Sequence, residues 1–317
     1  MQYEMDNKPG ISFMGTFFIL LGLLGVGLIA GSLVAAGIMV AMTGSSVFGL
    51  EKAMNDPANL QALKVVQLVS TFFIFFVPAW LASFLIHKRP FSFLGYNLRI
   101  TWKQLGLAIL IMLAALPMVS ALADLNKLIP LPAAMAKFFK DLDTAYADQV
   151  RMMANIKGFG DYLVSLVVMA FAPAIFEETF FRGGMQNLLA RASNRFWMPI
   201  IVTSVVFSIF HFSWDGFLSR IALGVVLGLL YAWSGSIWTC IVAHGVHNGL
   251  IVTQMYLLIR QGKSIDAAEG DSFPWWLGLL GTIILAVLLV IFKRVSDEVR
   301  GRKTPAIEKA HHEKWIA

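Results

Sequence analysis

Glu177 and Glu178 stand side by side, with Arg182 four residues on, inside the otherwise apolar stretch Phe176-Glu177-Glu178-Thr179-Phe180-Phe181-Arg182-Gly183. Residues four apart share a helix face, so Glu178 and Arg182 are expected to pair, while Glu177 points about 100° away and keeps its carboxylate free of that partner. Ionisable groups at bilayer depth cost about 2.5 to 3.5 kcal/mol each even on a lenient insertion scale, so three together point to function. Two further constellations lie downstream. His211 closes Phe207-Ser208-Ile209-Phe210-His211, and the stretch His244-Gly245-Val246-His247-Asn248 sets His244 and Asn248 one turn apart, with His247 close to the same face.

These residue types suit hydrolysis of a peptide bond. A carboxylate in a low-dielectric site is a competent base for water near neutral pH, and histidine serves as a second base or as proton donor to the leaving amine. A His-Asn pair can donate hydrogen bonds to a developing oxyanion. Each constellation alone has a plainer reading. A lone histidine on an apolar helix is commonly a hydrogen-bonded core residue, and His and Asn at helical spacing also serve as glue between helices, worth about 0.6 to 2 kcal/mol per pair. Their joint occurrence favours chemistry. No Ser-His-Asp arrangement and no Gly-rich phosphate loop is evident, so water is the expected nucleophile.

The elements that carry these groups read as membrane helices. Of the 317 residues, 58% are hydrophobic and 14% charged, and the mean hydropathy is +0.72; a soluble domain carries about 25% charge. Runs free of Asp, Glu, Lys and Arg cover Ile11 to Thr43, Val65 to His87, Gln104 to Ala123, Tyr162 to Phe176, Phe196 to Trp214, Ile221 to Ile259 and Ser272 to Phe292. A span needs roughly 20 apolar residues. The run from Ile221 is nearly two spans long and holds Trp233-Ser234-Gly235-Ser236 at its middle, which predicts a helical hairpin. The Tyr162 run stops at the carboxylates but its apolar pattern resumes through Leu188-Leu189-Ala190, so one long helix over roughly 160 to 190 is expected to carry the motif. The sum is an all-α polytopic protein of eight membrane helices around a buried polar cavity between the fourth, fifth and seventh.

Four regions follow: a three-helix region at 1–123, an amphipathic connector at 124–159, a core at 160–259 and a last helix with a basic tail at 260–317. In the connector, Met135, Phe138, Phe139, Leu142, Tyr146, Val150 and Met153 recur at steps of three and four between charged residues, so 132–157 is expected to form an interfacial helix, with a substrate-gating lid as the alternative. The net charge of +6 falls in His87-Lys88-Arg89 with Arg99 and Lys103, in Arg191 and Arg195, and in Lys293, Arg294, Arg300, Arg302 and Lys303. Eight spans with both termini cytoplasmic put all of these inside. Basic residues scattered among spans fit anionic headgroups and exclude a nucleic-acid face. The first apolar run is too long for a signal-peptide core and is expected to be retained. Lone Cys240 allows no disulfide and reads as a buried hydrophobe.

The order Glu-Glu-x-x-x-Arg, Phe-x-x-x-His and His-x-x-x-Asn, each in its own membrane helix, resembles the CPBP intramembrane proteases, the family of CAAX prenyl endopeptidases and bacteriocin-processing enzymes. The likeness covers roughly Tyr162 to Ile259. It implies a membrane endopeptidase acting on a protein or peptide substrate, with membrane lipids as its surroundings, in a cell membrane that is expected to be prokaryotic. By this resemblance Glu177 with His211 would activate water, His244 with Asn248 would stabilise the oxyanion, Glu178 and Arg182 would brace the site, and Phe207 would pack beside His211. His247 matches no motif position and is assigned a supporting place. The family has been classed with metalloproteases, so a divalent metal such as zinc, held by Glu177, His211 and His244, is the alternative to a metal-free glutamate mechanism. The soluble zinc-protease pattern His-Glu-x-x-His is missing. A non-catalytic binding or immunity protein on the same scaffold, and a proton-coupled transporter, are the competing functions.

One tension is visible in the spacing. Glu177 and His244 fall near mid-helix, whereas His211 falls near the far end of a short span, so the helices must adjust if the groups are to meet.

Overall fold

Apolar runs at bilayer depth can satisfy their backbone groups only among themselves, and that requirement makes them helices. The computed structural model describes residues 10–265 and 273–303, and among these the regular structure is helical, with no strand. The longer helices are α1 (Phe13–Thr43), α2 (Pro57–Ile86), α3 (Trp102–Lys127), α4 (Ala133–Met153), α5 (Phe159–Ser193), α6 (Trp197–Ile209), α7 (Phe217–Ser234), α8 (Ile237–Arg260) and α9 (Trp275–Lys303). Six of them, α1, α2, α3, α5, α7 and α9, are long and apolar enough to cross a bilayer, so the chain is a multi-pass membrane protein. α8 has the length, at 24 residues, but carries the His-Asn stretch. α6 has only 13 residues, or about 20 Å, which is short of a hydrocarbon core of about 30 Å.

Local signals set most boundaries. Ser12 caps α1 by accepting from the Gly15 amide, and Gly44, at φ 68°, ends it. α2 starts at Pro57, earlier than the charge-free run, because the Asp56 side chain accepts from the Ala58 amide at 2.9 Å and Lys64 is carried within the helix. A reciprocal Thr101–Gln104 capping box opens α3. The predicted hairpin turn forms where expected, with Gly235 at φ 66° closing α7. α9 continues beyond Phe292 through its charged end to Lys303, while residues 304–317 of the expected tail lie outside the described residues.

α5 and α2 each contain a widened π-helical stretch just ahead of a proline: Leu166–Phe171 before Pro173, and Phe72–Phe76 before Pro78. Proline lacks the amide that would close the preceding turn, and the helix answers by widening. α5 widens again over Thr179–Gln186, around Gly183-Gly184. The two carboxylates therefore sit on a short α-helical stretch, Ala172–Glu178, between two wide turns.

Two apolar clusters flank α6. One joins α3, α7, α8 and α9 through residues such as Ile111, Leu230, Cys240 and Phe292, and the other joins α1, α2 and α5 through Leu20, Ala79, Phe180 and Phe181. α6 contributes Ile200 to the first and Phe207 to the second, so the motif residues lie at a seam. One end of the bundle gathers the basic loops: Arg191 lies over the Phe93 ring at 5.1 Å, Asn97 Nδ2 donates to the Gly235 carbonyl at 2.7 Å, and Arg300 donates to the Trp233 carbonyl.

Candidate active site

Adjacent positions on the α-helical stretch Ala172–Glu178 aim its two carboxylates differently. Glu178 is fully buried, and its Oε1 accepts from Arg182 Nη1 at 2.8 Å and from His244 Nδ1 at 2.8 Å. The expected i,i+4 pair is therefore present, with a third member from α8. Glu177 keeps 15% of its side-chain surface exposed, and its Oε2 has no hydrogen-bond partner among the described residues. That oxygen lies 3.9 Å from His244 Nε2. His244 thus lies between the two, with Nδ1 bonded to Glu178 and Nε2 facing Glu177.

The second bonds of these groups explain why they stay in place. Arg182 Nη2 donates to the Gly224 carbonyl at 3.2 Å, and its guanidinium lies 4.8 Å from the Phe207 ring centroid. Phe207 also packs edge-on against His211 at 4.8 Å and His244 at 5.9 Å, so one ring spaces both histidines and the arginine. Gly245 lets α8 approach α5, since a Cβ there would meet Phe171 Cδ1 at 3.2 Å. Below it, Tyr162 stacks on Tyr256 at 4.6 Å and bonds Thr253 at 3.0 Å, which fixes the rotation of α8 and with it His244.

His211 lies just past the end of α6, which stops at Ile209 instead of running to Trp214. The adjustment demanded by the spacing is this early stop. Phe212 follows at φ 48°, a left-handed conformation that costs a bulky residue energy and is tolerated where the surroundings fix it. Non-helical backbone within a short span needs protein partners in place of water. They come from three helices. Asn126 donates to the Trp214 carbonyl at 2.8 Å and accepts from the Leu218 amide at 3.1 Å, Asp143 accepts from the Trp214 amide at 2.8 Å, and Arg220 donates to the Ser213 carbonyl. In the ring of His211, Nδ1 bonds the Phe207 carbonyl at 2.9 Å. A carbonyl only accepts, so Nδ1 carries the proton and neutral His211 presents a lone pair at Nε2.

A cavity of about 260 Å³ opens beside these groups, lined by His211, His244, His247 and Asn248 among others. Its walls come from α3, α4, α6 with its following loop, α7 and α8, whereas a cavity between the fourth, fifth and seventh membrane helices was expected. α5 supplies none of the lining, and Glu177 reaches the cavity side through its approach to His244. The amphipathic helix α4 does more than connect: Phe139 packs on Trp214 at 5.3 Å, and Tyr146 lines the cavity. Burial holds the Tyr146 phenol above its usual pKa, with Arg220 pulling it down and Glu177 pushing it up, so it remains an O–H donor at neutral pH. His247 lines the cavity, its Nδ1 without a hydrogen-bond partner among the described residues, and Asn248 lines it one turn from His244.

The proposed zinc ligands fit a metal poorly. His211 and His244 each bond protein through Nδ1 and keep Nε2 open, as an Nε2 ligand would, but among the described residues no three His, Cys, Asp or Glu side chains converge as a ligand set, Glu177, His211 and His244 included. The metalloprotease reading is accordingly unsupported by this donor geometry.

Sequence reasoning missed the second row of contacts on α7. Gln186, one turn beyond Arg182, donates to the Gly228 carbonyl at 3.0 Å, so two side chains of α5 grip two glycine carbonyls one turn apart. A Cβ on Gly224 would meet Ser204 Cβ at 2.8 Å, and one on Gly228 would meet Ile200 Cγ2 at 2.9 Å. The signal was present as Gly224-x-x-x-Gly228, the small-residue spacing that lets membrane helices approach. Tyr96 was likewise missed; its hydroxyl bonds Thr179 Oγ1 at 2.5 Å, next to Glu178.

Residues 159–250 match the family model described as type II CAAX prenyl endopeptidase Rce1-like. No curated protein and no solved structure gives a significant match.

Proposed function

We propose, from the premise that residues 159–250 form an Rce1-like domain of an intramembrane protease family, that this chain hydrolyses peptide bonds of a hydrophobic or membrane-associated protein or peptide. The observation that carries the reading is the unequal commitment of adjacent carboxylates: Glu178 is fully buried with Oε1 bonded to both Arg182 and His244, whereas Glu177 is partly exposed and, among the described residues, its Oε2 next to His244 has no hydrogen-bond partner.

Proton placement gives the two groups complementary roles. Glu178 and Arg182 cancel in charge, and Glu178 holds the proton of His244 on Nδ1. Glu177 Oε2 and His244 Nε2 face each other at 3.9 Å, close enough for a water or a substrate atom to meet both. In the proposed cycle Glu177 serves as the base and His244 Nε2–H as a donor.

Glu177 then takes a proton from a water that His211 Nε2 orients, and the resulting hydroxide attacks the scissile carbonyl carbon. The oxyanion accepts hydrogen bonds from His244 Nε2–H and the Asn248 amide. On collapse the C–N bond breaks, and protonated Glu177 returns its proton to the leaving nitrogen. Every proton is accounted for by side chains of this chain, and no step passes through a metal. Preorganised donors of this kind are worth about 10² to 10³ in rate apiece, and a positioned base about 10² to 10⁴.

The basic end of the bundle is proposed to face the cytoplasm of a prokaryotic cell, with both termini on that side. The test of the activity is direct: candidate peptides are incubated with detergent-purified wild type and Glu177→Ala, and products are read by mass spectrometry. Cleavage by the wild type alone is expected. Equal cleavage by both proteins would overturn the assignment of Glu177.

A further inference from the structure

The cavity contains a cation that the hydrolytic steps do not use. Arg220 lies in the first turn of α7 and lines the cavity together with Tyr146, His211 and Asn248. One of its terminal nitrogens bonds the Ser213 carbonyl, while Nε is buried and without a hydrogen-bond partner among the described residues. Gly216 makes room for the guanidinium, since a Cβ at that position would stand 2.4 Å from Arg220 Nη1. Asp143 and Asp215 are within electrostatic range of the guanidinium, but neither forms an ion pair with it among the described residues. The Asp143 carboxylate is engaged with the Trp214 and Asp215 amides at 2.8 and 3.4 Å.

Tyr146 of α4 lines the same cavity as this cation. Its phenol is within electrostatic range of both Arg220 and the proposed base Glu177. A guanidinium and an O–H donor facing one apolar-walled space match the acceptor oxygens of a carboxylate, and a guanidinium binds such a group by charge-assisted hydrogen bonds. We propose that Arg220 and Tyr146 form a carboxylate-recognising subsite, which selects substrates with an anionic group close to the bond that Glu177 hydrolyses. The group is either the C-terminal carboxylate of a peptide or an acidic side chain within it. This inference rests on the proposed peptidase activity and adds its specificity.

The experiment uses the full-length protein in detergent and four fluorescent versions of one apolar peptide: free C-terminal carboxylate, C-terminal amide, amide with an internal Glu, and amide with Gln in its place. In wild type, one anionic version is expected to exceed its neutral counterpart in kcat/KM by roughly tenfold to hundredfold, the range of a hydrogen bond to a charged group. The free-carboxylate pair reports a C-terminal source and the Glu/Gln pair a side-chain source. Arg220→Gln should bring that ratio close to one, Arg220→Lys should keep part of it, and Tyr146→Phe should lower it several-fold. Gly216→Ala, which displaces the guanidinium without removing it, should also lower the ratio.

Affinities of the same peptides for Glu177→Gln, read by fluorescence anisotropy, should show the same anionic preference. This arm keeps the two ideas apart. If no peptide is cleaved but the preference in binding appears and disappears with Arg220, the hydrolytic reading fails and the subsite stands. A wild-type ratio near one in both arms, or a ratio that Arg220→Gln leaves as it was, overturns the subsite. Should Arg220→Gln not fold, the Tyr146→Phe and Arg220→Lys ratios decide, and wild-type values in both would overturn it.

Discussion

The two sides of α5 differ although they are one residue apart in sequence. On the side facing α7, Glu178, Arg182 and Gln186 form a buried ladder, with bonds of 2.8, 3.2 and 3.0 Å to one another and to the Gly224 and Gly228 carbonyls. On the side facing His244, Glu177 has a carboxylate oxygen with no partner, and beyond it the cavity is walled by His211, His247 and Asn248. Buried polar groups are normally saturated, because an unmet one costs about 1 to 3 kcal/mol. Both sides leave atoms unmet among the described residues, Glu178 Oε2, Arg182 Nε and Gln186 Oε1 in the ladder and Glu177 Oε2 opposite, but those of the ladder are sealed, and the departure at Glu177 lies beside the cavity where chemistry is proposed. The ladder's rigidity is what makes the departure possible, since it fixes His244 through Glu178.

This contrast can be broken from either side. Arg182→Met strands the Glu178 carboxylate at 0% exposure; removing one partner of a buried pair costs about 3 to 5 kcal/mol. We expect a large fall in thermal midpoint, read by tryptophan fluorescence on heating in detergent, with partial recovery in Glu178→Gln/Arg182→Met. Asn248→Ala acts on the cavity side and should lower kcat by about 10² with a midpoint close to wild type, as expected of a lost oxyanion donor. Gly224→Ala pushes a Cβ to within 2.8 Å of Ser204 Cβ. The same thermal melt should show a loss of about 1 to 3 kcal/mol from overpacking, with a smaller effect on hydrolysis.

Much of this arrangement was legible in the sequence because helical periodicity is a local property. The i,i+4 spacing of Glu178 and Arg182 gave their pairing and freed Glu177, and the Trp233 to Ser236 composition gave the hairpin. The alternation of apolar and charged residues gave α4 as an amphipathic helix over Ala133–Met153, inside the expected 132–157. What could not be read is how helices distant in sequence share atoms. The bond of His244 to Glu178 joins residues 66 apart, and nothing in either motif announces it. The early stop of α6 depends on Asn126 and Asp143, polar residues of α3 and α4 that replace water at the loop before α7. The width of the α5 turns depends on Pro173 and Gly183-Gly184, whose presence in the sequence suggests disturbance but not its form. Placing Tyr146 in the cavity wall needed the three-dimensional path of α4.

The central claim is that adjacent carboxylates have divided labour, and it is tested most directly by measuring two quantities on two isosteric variants. Peptide hydrolysis and thermal midpoint are compared for Glu177→Gln and Glu178→Gln, purified side by side in the same detergent. Glu177→Gln is expected to lose hydrolysis by about 10³ or more while melting like wild type, as loss of a general base requires. Glu178→Gln is expected to melt earlier and to lose activity in parallel, because His244 and Arg182 lose their anionic anchor. Matching losses in both quantities for the two variants would contradict the division.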